Sequence, residues 1–217
     1  MTYFIFSVIF LIILAVAWRF SSRRYVIPCP NYLAWMVEMD NPFAKENRSA
    51  EIIGHLDLDH AINIADIGCG PGRVTMPLSK KLKFGSTLVA IDIQNKMLEK
   101  AKRKAADMKN IEFRQGALGD GILEKDKYDY ILLVNMLGEI PKVKNALEES
   151  FHALKPGGIL SITETIFDPH YQRMSKLEEI TSNIGFQKKQ LFGKWYSYTA
   201  HFIAKKYTGD HEQDDRD

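Results

Sequence analysis

The chain has 217 residues, of which 46% are hydrophobic and 26% are charged, and its formal net charge is +2 at pH 7. This composition is typical of a globular protein, and the length suits one domain of ordinary size with a small appendage. A charge so close to zero gives no electrostatic reason to expect nucleic acid as a partner.

The first predicted element is the apolar segment YFIFSVIFLIILAVAW, residues 3–18, which carries no charge. As a helix of about 16 residues rising about 1.5 Å each, it spans roughly 24 Å, near the roughly 30 Å hydrocarbon core of a bilayer. Three arginines follow between residues 19 and 24, ahead of the first acidic residue, Glu38. The positive-inside rule therefore predicts a transmembrane anchor with its basic flank over residues 1–24, in a single-pass membrane protein whose remaining chain faces the cytoplasm.

Two other interpretations of this segment stay open. AVA at residues 15–17 resembles a signal-peptidase site, which would make the segment a cleaved export signal. The missing basic residue ahead of the apolar run and the arginines behind it favour an anchor over export. A buried core helix fits less well, because the segment is apolar on every side.

Two short helices are predicted next, over residues 31–39 and 45–56, on either side of the turn DNPF. They precede the main run of alternating elements. We expect residues 25–60 to form a helical segment that covers the site of the domain after it.

Strands and helices then alternate along the chain. Helical patterns of ordinary length separate five apolar, β-branched runs: AINIADI, STLVAID, NIEFRQG, YDYILLVN and GILSITETIF. This alternation predicts parallel strands joined by crossover helices, and hence an α/β sheet covered on both faces.

The end of the chain breaks this alternation. After one more helical pattern, the strand-like runs QKKQLF and SYTAHFIAKK are separated only by GKWY, which is too short for a parallel crossover and predicts a hairpin. We therefore expect one antiparallel strand at the end of a domain that covers residues 61–206. Residues 207–217 are polar and mostly acidic, and are predicted to be a disordered, solvated tail.

Three glycines lie between the first strand and its helix, in ADIGCGPGR. Gly68, Gly70 and Gly72 let the backbone turn tightly and let a small cofactor approach free N–H groups at the start of the helix. Arg73 occupies the place of the third glycine in the dinucleotide fingerprint, which weakens a pyrophosphate interpretation. Asp92 ends the second strand, where a carboxylate accepts hydrogen bonds from ribose hydroxyls. A nucleoside without a pyrophosphate fits both features.

These segments carry a resemblance to a known family. ADIGCGPGR, VAIDIQNKMLEKAKRKA and LKPGG resemble motifs of class I S-adenosylmethionine-dependent methyltransferases, over residues 45–206. NMLGEIP and the C-terminal segments are most similar to small-molecule and quinone-ring methyltransferases. The resemblance implies a doubly wound, mostly parallel seven-stranded sheet of the Rossmann-like kind with its last strand antiparallel, and S-adenosyl-L-methionine as methyl donor.

The resemblance also implies which residues contact that cofactor. Asp92 would bind the ribose hydroxyls, and Ile93 would pack on the adenine. The other implied contacts are Asp66, Gly68, Cys69, Gly70, Gly72, Ala117 and Asn135. Ala117 stands where the family usually has an acidic residue for the adenine amino group, so we expect a backbone contact there, and Asp120 is the candidate for the missing carboxylate. Asp66 has a second interpretation, in which it bonds only the amides of its own loop.

Methyl transfer depends mainly on orientation and on the exclusion of water, so a catalytic base is optional. Candidates lie where the fourth and fifth strands end, at the ligand-binding edge of the sheet: Asn135, Glu139, Glu164 and, just beyond, His170 and Tyr171. Glu139 has the alternative of stabilising the helix predicted to begin at Pro141. His170 and Tyr171 have the alternative of being solvated loop residues.

The two cysteines of the chain, Cys29 and Cys69, match neither a half-cystine pattern nor a metal-ligand spacing. A reducing compartment fits this pattern, and no metal site is predicted. Cys69 is interpreted as a small residue admitted by close packing, because no partner base accompanies it.

Together these features predict a membrane-anchored, S-adenosylmethionine-dependent methyltransferase that acts on a small, hydrophobic or lipid-like acceptor, including one dissolved in the membrane. The expected partners are this acceptor and the bilayer around residues 3–18. Two alternatives belong to other classes: a non-catalytic protein that binds S-adenosylmethionine as a scaffold, and a nicotinamide-dependent oxidoreductase, which the displaced third glycine disfavours.

Overall fold

The computed structural model describes residues 34–206 and, from the N-terminal segment, residues 3, 6, 7, 9, 10, 13, 16, 17 and 19–21. Ahead of the sheet lie helix α1 (Ala34–Glu38), a 3-10 turn (Lys45–Asn47) and helix α2 (Ser49–Gly54). The helix predicted over residues 45–56 is therefore broken in two. Arg48 separates the two parts because its backbone is extended, with ψ at 139°.

Seven strands and four further helices of eleven or fewer residues follow in the described part of the chain. The strands are β1 (Asn63–Ile67), β2 (Thr87–Asp92), β3 (Ile111–Gln115), β4 (Tyr128–Val134), β5 (Leu154–Thr165), β6 (Phe186–Lys194) and β7 (Ser197–Ala204). The helices are α3 (Thr75–Lys81), α4 (Asn95–Lys104), α5 (Val143–Ala153) and α6 (Met174–Ser182), with a 3-10 turn at Leu137–Glu139.

The seven strands form one sheet in the order β3-β2-β1-β4-β5-β7-β6. Strands β1 to β5 pair in parallel, whereas β7 is antiparallel to both β5 and β6. Only Trp195 and Tyr196 join β6 to β7, and so short a link permits only a hairpin. The predicted seven-stranded, Rossmann-like sheet with an antiparallel last strand is confirmed.

Apolar side chains on both faces of the sheet form the core, because neighbouring residues of a strand point to opposite sides. Ile64 of β1 and Leu132 of β4 pack with α2 and α3 on one face. Ala65 and Leu133, the next residues along, pack with α5 and α6 on the other. Helices thus cover both faces, and the carboxyl edge of the parallel strands is left for a site.

The membrane anchor predicted over residues 3–18 requires a correction. Among the described residues, no helix combines the length and the apolar content needed to cross a bilayer. An apolar run of about 16 residues reaches only about 24 Å as a helix, against a hydrocarbon core of roughly 30 Å. The predicted single-pass membrane location with its cytoplasmic orientation is therefore contradicted, and the predicted bilayer partner is not supported. Several residues of the segment, and the tail at 207–217, lie outside the described residues.

A polar ladder crosses the buried face between β5 and β7. The hydroxyls of Thr163 and Thr199 lie 2.8 Å apart, and His201 is paired with Ser161 two register positions away, on the same face. Only 2% of His201 is exposed. Burial lowers the pKa of the imidazole to about 4, and the neighbouring charges of His55 and Lys189 act in the same direction. The folded protein therefore holds His201 neutral at pH 7.

This burial predicts how stability depends on pH. Because the pKa of His201 is about 4 in the folded state and about 6.5 when unfolded, the stability it permits at pH 7 is lost as pH falls from about 6.5 towards 4. Between pH 7 and pH 5, we expect the unfolding free energy of His201→Gln to fall by about 2 kcal/mol less than that of the wild type.

Urea unfolding of the wild type and the variant at both pH values measures this difference. The exposed His60 gives the matched control, His60→Gln, whose unfolding free energy should change between pH 7 and pH 5 as much as that of the wild type. An equal change in His201→Gln and the wild type would contradict a neutral buried imidazole.

Candidate active site

A cleft of about 840 Å³ opens at the carboxyl edge of the parallel strands. It lies where the strand order reverses, since the connections run outward from β1 to β2 and β3 on one side and from β4 to β5 on the other. Open α/β sheets bind their ligands at this crevice. The volume falls within the range of roughly 300 to 1,000 Å³ that small-molecule sites occupy.

The glycine turn after β1 forms the floor of the cleft. Gly68 and Gly70 line it and have φ values of 67° and 54°. A Cβ on Gly68 would also lie only 3.0 Å from the Cβ of Met136, so this position excludes a side chain on two grounds. Helix α3 begins at Thr75 and carries Pro77 in its first turn, where a missing N–H costs nothing.

The carboxylate of Asp92 ties this turn to the end of β2. One oxygen accepts the Gly70 N–H at 2.9 Å, and the other accepts the Gln94 N–H at 2.8 Å. Asp92 is 7% exposed and lines the cleft. Burial raises the pKa of this carboxyl group, and the two N–H donors oppose the rise. Each oxygen keeps a second lone pair, so a ligand hydroxyl has an acceptor here.

Asp66 lies close to the turn, although it does not line the cleft. Its carboxylate accepts the Thr75 hydroxyl at 2.6 Å, and it is 2% exposed. Burial raises the pKa of Asp66 to about 6, against the opposing effects of Thr75 and Arg73. Cys69 is also buried, and burial raises the pKa of its thiol well above the ordinary value. A protonated thiol is a poor nucleophile.

Asn135 follows β4 and has an unusual backbone. Its φ is 51°, a left-handed conformation that few residues other than glycine adopt, and its N–H is held by the Thr163 carbonyl at 2.9 Å. Its side-chain oxygen is buried without a hydrogen-bond partner among the described residues, and Asn135 lines the cleft. A strained backbone and an orphaned polar atom together mark a site for a ligand donor.

The loop after β3 forms another wall. Ala117 and Asp120 both line the cleft, and Asp120 is exposed at its rim. Glu149 of α5 organises this loop, because its carboxylate accepts the N–H groups of Gly119, of Gly121 at 3.1 Å and of Leu123 at 2.8 Å. The place of Asp120 allows it to replace the missing acidic residue, and this role stays a prediction.

The two glutamates predicted as catalytic candidates have different surroundings. Glu139 lines the cleft from the 3-10 turn after β4. Glu164 is 1% exposed and does not line it. Instead, its carboxylate accepts the Gln172 N–H at 3.0 Å, and burial raises its pKa well above the ordinary value. The structure therefore gives Glu164 a role in holding the loop after β5.

His170 belongs to that loop and is buried, so it is not the solvated residue of the alternative interpretation. It is 4% exposed and lines the cleft. Its Nδ1 lies 3.2 Å from the carbonyl oxygen of Gly138, so Nδ1 carries the proton of this hydrogen bond. A Cβ on Gly138 would lie 2.2 Å from the His170 carbonyl oxygen, so the close packing of the two turns requires glycine. Tyr171 donates its hydroxyl to the Trp195 carbonyl.

The sequence did not single out the residues that close the cleft from the N-terminal side. Val37, Met39, Asn41 and Asn47 line it, although all four precede the sheet. No motif marks these residues, since only the tertiary fold brings them to the glycine turn. The predicted residues on the wall are Gly68, Gly70, Asp92, Ile93, Ala117, Asn135 and Glu139; those set back from it are Asp66, Cys69, Gly72 and Glu164.

Comparisons with known proteins agree with this geometry. Residues 64–158 match the model of a family described as a methyltransferase domain. A demethylmenaquinone methyltransferase of Staphylococcus saprophyticus is 33% identical over 100 residues, which are 46% of this chain and 43% of that protein. A probable methyltransferase of Aspergillus luteorubrus is 33% identical over 128 residues, covering 54% of this chain and 45% of that protein.

Solved structures share the fold. A SAM-dependent methyltransferase from Aquifex aeolicus superimposes with a TM-score of 0.70 at 18% identity, covering 82% of this chain and 100% of that chain. The chain spans less than half the length of the curated relatives described above. Residues 64–158 are thus similar to a methyltransferase domain, the fold is that of S-adenosylmethionine-dependent methyltransferases, and S-adenosylmethionine is the cofactor that this domain and fold imply.

The bonds around Asp92 predict a loss of cofactor affinity when its charge is removed. In Asp92→Asn the amide has a single acceptor oxygen, so either the Gly70 or the Gln94 N–H loses its partner, and the ribose hydroxyls lose a charged acceptor. We expect the Kd for S-adenosylmethionine to rise by about 10- to 100-fold, since hydrogen bonds to charged groups contribute about 1.5 to 3 kcal/mol.

Isothermal titration calorimetry with the full chain measures this Kd. Asp107→Asn removes an exposed carboxylate of the α4 end and should leave the Kd unchanged. An unchanged Kd in Asp92→Asn, with unaltered thermal unfolding, would show that Asp92 does not contact the cofactor.

Proposed function

We propose that the chain transfers a methyl group from S-adenosylmethionine to a small, apolar acceptor, and that hydroxylated aromatic rings of the quinol class are the first acceptors to test. The observation that carries this proposal is the composition of the cleft. Polar groups suited to a nucleoside, at the glycine turn and at Asp92, share the cleft with many apolar side chains.

The cleft offers the groups that this nucleoside requires. Asp92 would accept from the ribose hydroxyls, Ile93 would cover the adenine, and the backbone of Gly68 and Gly70 would adjoin the methionine portion. Ile93 is 58% exposed, so its apolar side chain is accessible to a planar ligand. The orphaned oxygen of Asn135 is the acceptor within the cleft for a ligand N–H or O–H. The bound cofactor supplies an electrophilic methyl group on its sulfonium.

The apolar part of the lining favours an apolar acceptor. It includes Val37 and Met136, which lie beside the glycine turn, and Met39, Ile140 and Phe167. Phe167 is 54% exposed and its ring lies 6.4 Å from that of Phe43. Burying an acceptor ring against these side chains would favour binding by about 25 cal/mol for each Å² of apolar surface removed from water. This composition suits a ring with few charges.

Two cleft residues are suited to take a proton from such an acceptor. His170 is held with Nδ1 towards the Gly138 carbonyl, so its neutral form has a lone pair on Nε2. Glu139 lies on the adjacent turn. Removal of a hydroxyl proton by one of them would raise the electron density of the acceptor as the new bond to the methyl group forms.

The relatives support an acceptor of the quinol class, but they are not the only evidence for it. The Staphylococcus protein is named for demethylmenaquinone, a quinone whose ring lacks a methyl group. The chain covers 43% of that protein, so the acceptor of the whole chain is part of the proposal. The apolar part of the lining is the independent reason to test this class first.

The direct test incubates the purified full chain with S-adenosylmethionine carrying a labelled methyl group and a panel of acceptors. The panel contains a reduced quinone lacking one ring methyl, a simple diphenol and an aliphatic fatty acid. Mass spectrometry of the products should find the label on the quinol, at a higher kcat/KM than on the diphenol. Cofactor binding without labelling of any acceptor would contradict the proposal and favour a non-catalytic role.

The place of His170 predicts a loss of turnover without a loss of cofactor binding. We expect His170→Gln to lower kcat on the preferred acceptor by about 100-fold, the lower end of the general acid–base range, while the Kd for S-adenosylmethionine changes less than about threefold. Steady-state kinetics and calorimetry measure the two effects. The exposed His152 provides the control His152→Gln, and an unchanged kcat in a folded His170→Gln protein would rule out His170 as the base.

A further inference from the structure

The residues ahead of α2 reach the cleft through a closed ring of hydrogen bonds that begins at Arg73. We propose that Arg73 and Asp40 form a clamp that holds residues 37–49, here called the N-terminal cover, against the glycine turn, and that this clamp determines how long the cofactor stays bound. The identity of the ligand rests on the proposed function. The contacts of Arg73 and Asp40 support the clamp whatever the ligand is.

The guanidinium of Arg73 makes contacts with two parts of the cover. Its Nη1 donates to the Asp40 carboxylate at 2.9 Å and to the Asn47 carbonyl oxygen at 2.5 Å, and its Nη2 donates to the Asn47 side-chain oxygen at 2.9 Å. A planar group with fixed donors suits such bridging, and a lysine would not reproduce it.

The carboxylate of Asp40 closes the ring. The same oxygen that pairs with Arg73 accepts both the N–H and the hydroxyl of Ser49, each at 3.0 Å. The Ser49 hydroxyl also lies 3.2 Å from the Arg73 carbonyl oxygen. Asp40 thereby caps the N-terminus of α2, where the N-cap residue Arg48 makes no side-chain hydrogen bond. These bonds link the cover to the guanidinium and to the backbone carbonyl of Arg73.

Burial and charge strengthen these contacts. The side chain of Arg73 is only 11% exposed, whereas that of Asp40 is 41% exposed, and Asn47 and Ser49 are buried. Burial alone would raise the pKa of Asp40, but the hydrogen bonds from Ser49 and Arg73 outweigh it and lower the pKa. Asp40 is therefore ionised at neutral pH, and it neutralises a largely desolvated guanidinium.

A second tie to the same turn is more exposed. Lys104 pairs with Glu38 at 2.7 Å, with 41% and 36% of the two side chains exposed, and also donates to the Pro71 carbonyl at 3.2 Å. Ion pairs in solvent contribute little. Arg73 is thus the main attachment of the cover, and Lys104 provides a matched comparison.

Opening of the clamp would change the cleft. The cover supplies four lining residues, Val37, Met39, Asn41 and Asn47, and a methyl group of Val37 lies 3.7 Å from where a Cβ of Gly70 would be. Helix α2, directly after Ser49, is fixed in the core by Ile52 and Ile53. Movement would therefore involve the residues ahead of Ser49, which include all four of these lining residues.

Two variants test the clamp. Asp40→Asn removes the charge and keeps the shape, and Arg73→Lys keeps the charge and loses the bridge to Asn47. Stopped-flow displacement of bound S-adenosylhomocysteine measures its rate constants with the full chain. We expect both variants to raise the dissociation rate constant about tenfold, as the loss of about 1.4 kcal/mol would do, and to change the association rate constant less than threefold.

Lys104→Gln should change both constants less than twofold, because it breaks only the exposed tie. A general loss of folding would affect association, dissociation and thermal unfolding together, so the separation of the two rate constants distinguishes positioning from instability. Dissociation rate constants equal to that of the wild type in both Asp40→Asn and Arg73→Lys would overturn the proposal.

A second readout needs no ligand. Trypsin cleaves after Lys45 and Arg48, both in the cover, and mass spectrometry follows the rate at each bond. We expect Asp40→Asn to accelerate these cleavages about tenfold relative to cleavage after the exposed Lys102. Unchanged rates would overturn the clamp. If the wild type bound no S-adenosylhomocysteine, the proposed function would fail, and this readout would still decide the role of Arg73 and Asp40.

Discussion

The site depends on one buried carboxylate and on the hydrogen bonds that it accepts from two backbone N–H groups. Asp92 joins the Gly70 N–H of the turn after β1 to the Gln94 N–H of the turn after β2, so two neighbouring strand ends are held at a fixed spacing. The glycine turn, whose glycines adopt positive φ, is also held to β2 by the Cys69 N–H, which donates to the Ile91 carbonyl at 2.9 Å, and the Asp92 bond adds the side-chain attachment at Gly70. The same carboxylate faces the cleft, so the interaction that shapes the floor also leaves an acceptor for a ligand. Two other parts of the cleft lie around this carboxylate. They are the loop after β3, which Glu149 holds, and the cover, which Arg73 holds.

The sequence predicts those features that depend on residues close to one another along the chain. Alternating apolar runs predicted β1 to β5, and the short link GKWY predicted the antiparallel end of the sheet. The three glycines and Asp92 predicted the floor of the cleft, because a tight turn and a strand-end carboxylate are local signals. The apolar composition of residues 3–18 favours a membrane span, whereas the length of this segment as a helix falls short of a bilayer.

Contacts between distant parts of the chain account for what sequence reasoning missed. Glu149 organises a loop about thirty residues earlier, and Arg73 binds Asp40 and Asn47 of the cover; no spacing rule connects such positions. The same limit applies to the acidic candidates. Glu139 follows the predicted fourth strand and Glu164 lies near the end of the fifth, yet Glu139 lines the cleft whereas Glu164 is buried beneath a loop and has a raised pKa. The end of a strand predicts nearness to the site, whereas the direction of a side chain depends on the packing around it.

A crystal structure of the full chain with S-adenosylhomocysteine tests the central claim most directly. The account predicts that the ribose hydroxyls lie within hydrogen-bonding distance of the Asp92 carboxylate, with the adenine beside Ile93 and the amino acid portion over Gly68 and Gly70. It also predicts that the Gly70 N–H bond to Asp92 persists with the ligand bound. A nucleoside found elsewhere in the cleft, or an Asp92 carboxylate that contacts no part of it, would contradict the account.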